Sequence, residues 1–139
     1  SEVPLPEVQG DCLELELEME GQGAAEFGMK VRCAPDGSEE TIVSVSSEPA
    51  AVQIDFSRAS LRDDLAYQQD RRVQSAPIAR GGRINLRIFL DRSVLEVFAG
   101  DQRYMAQRIY PLRADSLDVK LFSRGGSARV RHLRAWQMG

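Results

Sequence analysis

The sequence predicts an all-β chain, an antiparallel two-sheet β-sandwich of about nine to ten strands. Three observations predict it. Apolar and polar residues alternate with period two through most of the chain, short apolar segments are separated by Gly, Pro, Asp and Ser turns, and no segment carries a convincing helical period.

The opening "SEVPLPEVQG" holds two prolines and suits an extended lead-in or linker over residues 1–10, leaving 11–139 as a single sandwich domain. It has neither a basic n-region nor an apolar h-region, so the chain is expected to begin partway through a longer protein. "CLELELEME" alternates Leu13, Leu15, Leu17 and Met19 with Glu14, Glu16, Glu18 and Glu20, the pattern of a half-buried strand. After Gly21-Gln22-Gly23, "AEFGMKVRC" puts Phe27, Met29 and Val31 on one face and Glu26, Lys30 and Arg32 on the other. A hairpin is expected, with Leu15 near Met29 and Glu14 or Glu16 near Lys30. Cys12 then falls on the glutamate face and Cys33 on the apolar face, so no disulfide is expected between them.

"APDGSEE" reads as a turn, and "TIVSVSS" and "AVQIDFS" as a second hairpin with Val52, Ile54 and Phe56 alternating inward. Residues 57–75 lose the alternation and carry seven charges, so they read as a long surface loop with a helical turn near Leu61–Tyr67. The alternation resumes at "APIA". A Gly81-Gly82 turn leads to "RINLRIFL", with Ile84, Leu86, Ile88 and Leu90 on one face. Strands follow at "VLEVFA", "RYMAQRIY", "LDVKLFS" and "ARVRHLRAWQM".

At 139 residues the chain can bury roughly 70% of its unfolded surface in one core. No apolar run approaches the ~20 residues of a membrane-spanning helix, so no membrane partner is expected. The net charge is −3, but residues 1–40 hold eleven acids against Lys30 and Arg32, and the rest ten acids against sixteen bases, giving −9 and +6. The arginines are scattered singly through strand-like segments and are not gathered in a run with aromatics. Mutual neutralisation between packed strands accounts for the asymmetry better than a nucleic-acid partner.

Asp91 and Glu96 are the carboxylates that raise a question of acid/base chemistry. Asp91-Arg92 falls between two strands, where an Asp bonds nearby backbone N–H groups in a turn. Glu96 interrupts "SVLEVF" and shares a face with Val94 and Phe98. It faces either solvent or an interface, where burial would require an arginine or a set of hydrogen-bond donors. His132 is the single histidine, so triads and histidine-based zinc sites lack a second component, and the two cysteines have no metal-site spacing. No Gly-x-Ser-x-Gly occurs, and no cofactor is expected. Trp136, beside Leu133 and Met138, reads as a core anchor more than a sugar-stacking platform, and 6% aromatic content offers no obvious stacking row.

The segment "LRIFLDRSVLEVFAGDQRYMAQRIYP" resembles the hallmark of the C-terminal β-sandwich of glycoside hydrolase family 32, the invertases, levanases, inulinases and sucrose-6-phosphate hydrolases. "LELELEME", "FGMKVR", "DGSEETIV", "RRVQSAPI", "VKLFSRGG" and "LRAWQM" fall in the order of that domain. The resemblance implies a non-catalytic accessory domain of a β-fructofuranosidase-type hydrolase, stabilising a five-bladed propeller that holds the active site, with homo-oligomerisation as a further role. The propeller's catalytic motifs are not in this sequence. The nearest approach, Arg62-Asp63-Asp64, lacks the family's proline. No catalytic residue carries over, and the chain alone is expected to hydrolyse nothing. Glu96, Tyr67, Arg71 and Arg72 are the candidate interface residues. The alternative is a carbohydrate-binding module that tethers an enzyme to fructan through Tyr67, Tyr104 and Trp136. Unpaired cysteines lean toward a cytoplasmic setting, with secretion left open.

Overall fold

A computed structural model describes residues 1–61, 72–79 and 83–138. Among the described residues there are eleven strands and no helix. They are β1 (Glu2–Gln9), β2 (Cys12–Gln22), β3 (Glu26–Cys33), β4 (Thr41–Ser47), β5 (Ala50–Asp55), β6 (Val73–Pro77), β7 (Arg83–Asp91), β8 (Val94–Ala99), β9 (Arg103–Arg108), β10 (Asp118–Arg124) and β11 (Ser127–Gln137). They form two antiparallel sheets, one ordered β1-β10-β3-β4-β5-β6 and the other β11-β2-β7-β8-β9. The chain is the β-sandwich that its alternation predicts.

The alternating residues face each other across the two layers. Leu13, Leu15 and Leu17 from β2, Leu86, Ile88 and Leu90 from β7, and Leu95 and Val97 from β8 meet Met29, Val31, Val43, Val52 and Ile54 of the opposite sheet. Each fully buried leucine or isoleucine contributes roughly 1.5–3 kcal/mol, so this core is the main source of stability.

The first expected hairpin is wrong. β2 and β3 lie in different sheets: Leu15 pairs with Ile88 and Ala135, while Met29 pairs with Val43 and Leu121. Glu14 binds Arg87, and Lys30 binds Glu2 and Glu40. An apolar face is satisfied equally well by a neighbour strand or by the facing sheet, so alternation left the choice open. The connection at Gly23–Ala25 decides it, because Ala24 N–H donates to Ser127 O and Ala25 N–H to Arg124 O, docking it on the β10–β11 crossover. A Cβ on Gly126 would sit 2.5 Å from Gly23 O, so two glycines allow these crossings to touch.

The opening segment is extended, as its prolines suggest, and joins the sheet: β1 pairs with β10, and Glu2 reaches both Lys30 and Lys120. The expected β4–β5 hairpin is present. β6 begins at Val73, inside the segment read as loop, and residues 62–71, with most of the expected helical turn, lie outside the described residues. The acidic β2 runs between β7 and β11, whose Arg83, Arg87, Arg131 and His132 meet Glu18, Glu20, Glu14 and Glu16. Pairing across these ladders takes up part of the asymmetry of the two charge blocks.

Candidate functional site

Two surfaces concentrate chemistry. The first is the end of the sandwich where the β3–β4, β5–β6, β7–β8 and β9–β10 connections meet. Glu39, completely buried, is its organiser. Its carboxylate accepts hydrogen bonds from Leu61 N–H (2.8 Å), Leu112 N–H (2.7 Å), Arg113 N–H (3.0 Å) and the Ser116 hydroxyl (2.7 Å). Burial alone would push this carboxyl up, but the four donors outweigh it and hold it below its ordinary value. Nearby, Arg32 takes a positive φ of 48° and is buried, donating from Nε to Ser116 O (2.7 Å) and from Nη1 to Arg92 O (2.8 Å). Burial lowers its pKa, while Asp11 and Glu39 favour the charge.

Arg92 lies in the β7–β8 turn, while Asp91 is the last residue of β7, and its carboxylate accepts from Cys12 Sγ at 3.9 Å where a nearby backbone N–H was expected; Arg92, at φ 54°, donates its N–H to Asp11 O. A cleft of about 360 Å³ opens here, lined by Asp11, Arg32, Arg92, Ser93, Ile109 and Leu112 among others. Leu61 and Leu112, whose N–H groups share one oxygen of Glu39, are 48% and 60% exposed. Arg72 is exposed at the same end, its carbonyl accepting from Phe56 N–H. Tyr67 and Arg71 lie outside the described residues.

The second surface is the outer face of the β11-β2-β7-β8-β9 sheet. Paired residues in an antiparallel ladder share a face, so register alone gives two rows across it. One runs Trp136, Glu14, Phe89, Glu96, Ala106, and the next Arg134, Glu16, Arg87, Phe98, Tyr104. Phe89 and Phe98 meet edge to face at 5.8 Å between centroids, and Phe98 and Tyr104 at 4.9 Å. Arg87 lies over the Phe89 ring and binds Glu14 through Nε and Nη2 (3.1 and 2.8 Å). The Tyr104 hydroxyl donates to Glu96 Oε2 at 2.6 Å, a bond that raises the tyrosine pKa.

Two expectations are corrected on this face. Trp136 is no core anchor: it pairs with Glu14 on the outer side and is 41% exposed. The low aromatic content does not prevent a row, because four of the nine aromatic residues fall together on one face. Sequence reasoning offered Tyr104 and Trp136, with Tyr67, only as contributors to the alternative carbohydrate-binding reading, and it missed Phe89. The signal was parity, since Phe89 and Phe98 occupy the outward positions of strands whose inward positions are already filled by aliphatic residues. Glu96 lies on the face predicted for it, with Phe98, and its partner is Tyr104. The structure does not bring Glu96 and Arg72 into contact. They lie around one edge, where Gln74 of β6 donates to Ala106 O and Gln107 Oε1 of β9.

Cys12 and Cys33 are free thiols, in different sheets. Among the described residues no cluster of three or more His, Cys, Asp and Glu is arranged to hold a metal.

A sequence model of the family described as glycosyl hydrolases family 32 C terminal matches residues 1–137. The chain belongs to that family. Among curated relatives, a sucrose-6-phosphate hydrolase of Zymomonas mobilis is 29% identical over 131 residues, covering 91% of this chain and 24% of the relative. A levanase of Bacillus sp. (strain L7) is 35% identical over 123 residues, covering 85% and 13%. Among solved structures, a fructosyltransferase from A. japonicus superposes with a TM-score of 0.85 at 15% identity, covering 99% of this chain and 24% of that one, a likeness of fold. The family 32 C-terminal chain thus spans about a quarter or less of the length of these relatives.

Proposed function

We propose that this chain is the non-catalytic accessory domain of a β-fructofuranosidase-type hydrolase, and that it stabilises the catalytic domain by docking against it. The match to the C-terminal part of family 32 over 1–137, within relatives four times longer, carries this reading. An independent core supports it, since a sandwich that buries its own apolar faces needs no partner to fold and can offer its surface to one.

The docking surface we assign is the end organised by Glu39. Leu61 and Leu112 expose large apolar side chains there while their backbone N–H groups are fixed on one oxygen of a buried carboxylate, and Arg72 is exposed at the same end. Rigid apolar groups lose little entropy on association, so they suit a permanent contact. Tyr67 and Arg71 remain proposed interface residues, while Glu96, engaged by Tyr104, is assigned to the other face.

The 139-residue chain is expected to leave sucrose uncleaved. In a longer chain carrying the catalytic domain, Leu61→Ser with Leu112→Ser should lower the melting temperature while leaving that of the 139-residue chain unchanged. Equal melting of the longer chain with and without the two substitutions would defeat the docking assignment.

A further inference from the structure

The outer face of the β11-β2-β7-β8-β9 sheet has no part in the docking just described. Its rings form a band from Trp136 on one edge strand to Tyr104 on the other, crossing four strand spacings, or about 19 Å. Within it lies a hollow of about 400 Å³ lined by Glu16, Asn85, Arg87, Phe89, Phe98 and Gly100. We propose that this face is a binding platform for a neutral oligosaccharide chain laid across β7, β8 and β9. Phe98 and Tyr104 supply the stacking surface, and Arg87, Asn85, Glu16 and Glu96 the partners for hydroxyl groups.

Three features favour a sugar. The exposed rings, 36% for Phe98 and 54% for Tyr104, stand outward from strands whose inner positions already complete the core, so packing does not require them there. The polar groups between them are oriented before any ligand arrives, Arg87 by Glu14 and Glu96 by Tyr104, and each retains donor or acceptor capacity. The charges of the band, Glu14, Glu16 and Glu96 against Arg87 and Arg134, nearly balance, which disfavours nucleic acid and anionic surfaces. A protein partner would bury these charges at the centre of an interface, where charge is depleted. A sugar offers C–H faces to the rings and hydroxyls to the ions together.

The choice of fructan among neutral glycans rests on the family reading above; the platform does not. The test titrates levan and inulin oligosaccharides, with a cello-oligosaccharide for comparison, into the 139-residue chain by calorimetry and by amide chemical shifts. Saturable binding with shifts confined to β7–β9 is expected, at least about tenfold weaker in Tyr104→Ala and in Phe98→Ala, and retained in Tyr104→Phe. Both truncated positions are exposed, and unchanged melting will certify the fold. Binding of the glucan alone would uphold the platform and count against fructan. No binding of any of the three, or binding indifferent to both alanine variants, would overturn it. So would protection of β7–β9 amides from exchange in a longer chain carrying the catalytic domain, which would mark the face as a protein interface.

Discussion

Glu39 is a carboxylate with no solvent around it, held by donors from two separate segments, Leu61 on one and Leu112, Arg113 and Ser116 on the other. A buried charge survives only if its lone pairs are filled, and here they are. Glu39→Gln keeps the volume but turns one oxygen, the acceptor of two of the four hydrogen bonds, into an amide NH2 that faces two donors. It should destabilise the chain by about 3 kcal/mol at neutral pH in urea titrations. Because the folded carboxyl lies below its ordinary value, its stabilisation is complete above that ordinary value and is lost as pH falls through the folded one. The gap between the two proteins should therefore narrow in acid; a constant gap would show that the charge is not what matters. Nothing in "DGSEE" distinguished Glu39 from its solvated neighbours, since an acidic residue beside a turn is usually exposed. The cysteines offer a second residue-scale test. Cys33 is buried, and its thiol is pushed up to about 12, while Cys12 is half-buried. A maleimide at pH 8 should modify one thiol of the native chain, Cys12, and the second only on unfolding.

At the scale of elements, the nine strands read from alternation other than the short "APIA" run have counterparts, because a strand with one face on a core writes its period into the sequence whatever it pairs with. Pairing was less legible. Val52 and Ile54 found their hairpin neighbours across a short turn, but Leu15 and Met29 were matched by parity alone, and parity does not distinguish a neighbour in the ladder from a residue on the facing sheet. β1 escaped notice because prolines at positions 4 and 6 argue against a central strand, and β1 is indeed an edge. The candidate site was legible in part: the Asp91-Arg92 turn and the outward face of Glu96 were readable, whereas the exposed leucines depend on Glu39 and had no local pattern. Gly28 in β3 also has a role that only packing reveals. A Cβ there would lie 2.1 Å from Val43 O on β4, a backbone atom that cannot give way. Gly28→Ala should separate β3 from β4 and cost about 3 kcal/mol or more, read as a fall in melting temperature.

For the whole molecule, the charge layout ties distant parts of the chain together. β2 presents four glutamates on one face, and its two ladder neighbours come from residues 83–91 and 127–137. Self-repulsion along β2 is therefore relieved only when both of these later segments have folded onto it, which makes the basic C-terminal strand an electrostatic as well as a hydrogen-bonding partner. β11 is mostly exposed and adds little to the core, apart from Ala128 and Leu133 packed at its margin. Ending the chain at Gly126 removes Arg129, Arg131 and Arg134, taking the formal charge from −3 to −6 while leaving Glu14, Glu16, Glu18 and Glu20 on a bare edge. The truncated chain should be less stable in low salt and should recover part of the loss at 1 M NaCl, where screening shortens to about 3 Å. The full chain, whose β2 charges face opposite charges, should gain less from the same salt. Urea titrations of both chains at low and high salt make the comparison. Equal salt responses would mean that β11 acts through backbone pairing alone, and that the acidic and basic blocks of the sequence do not hold each other in place.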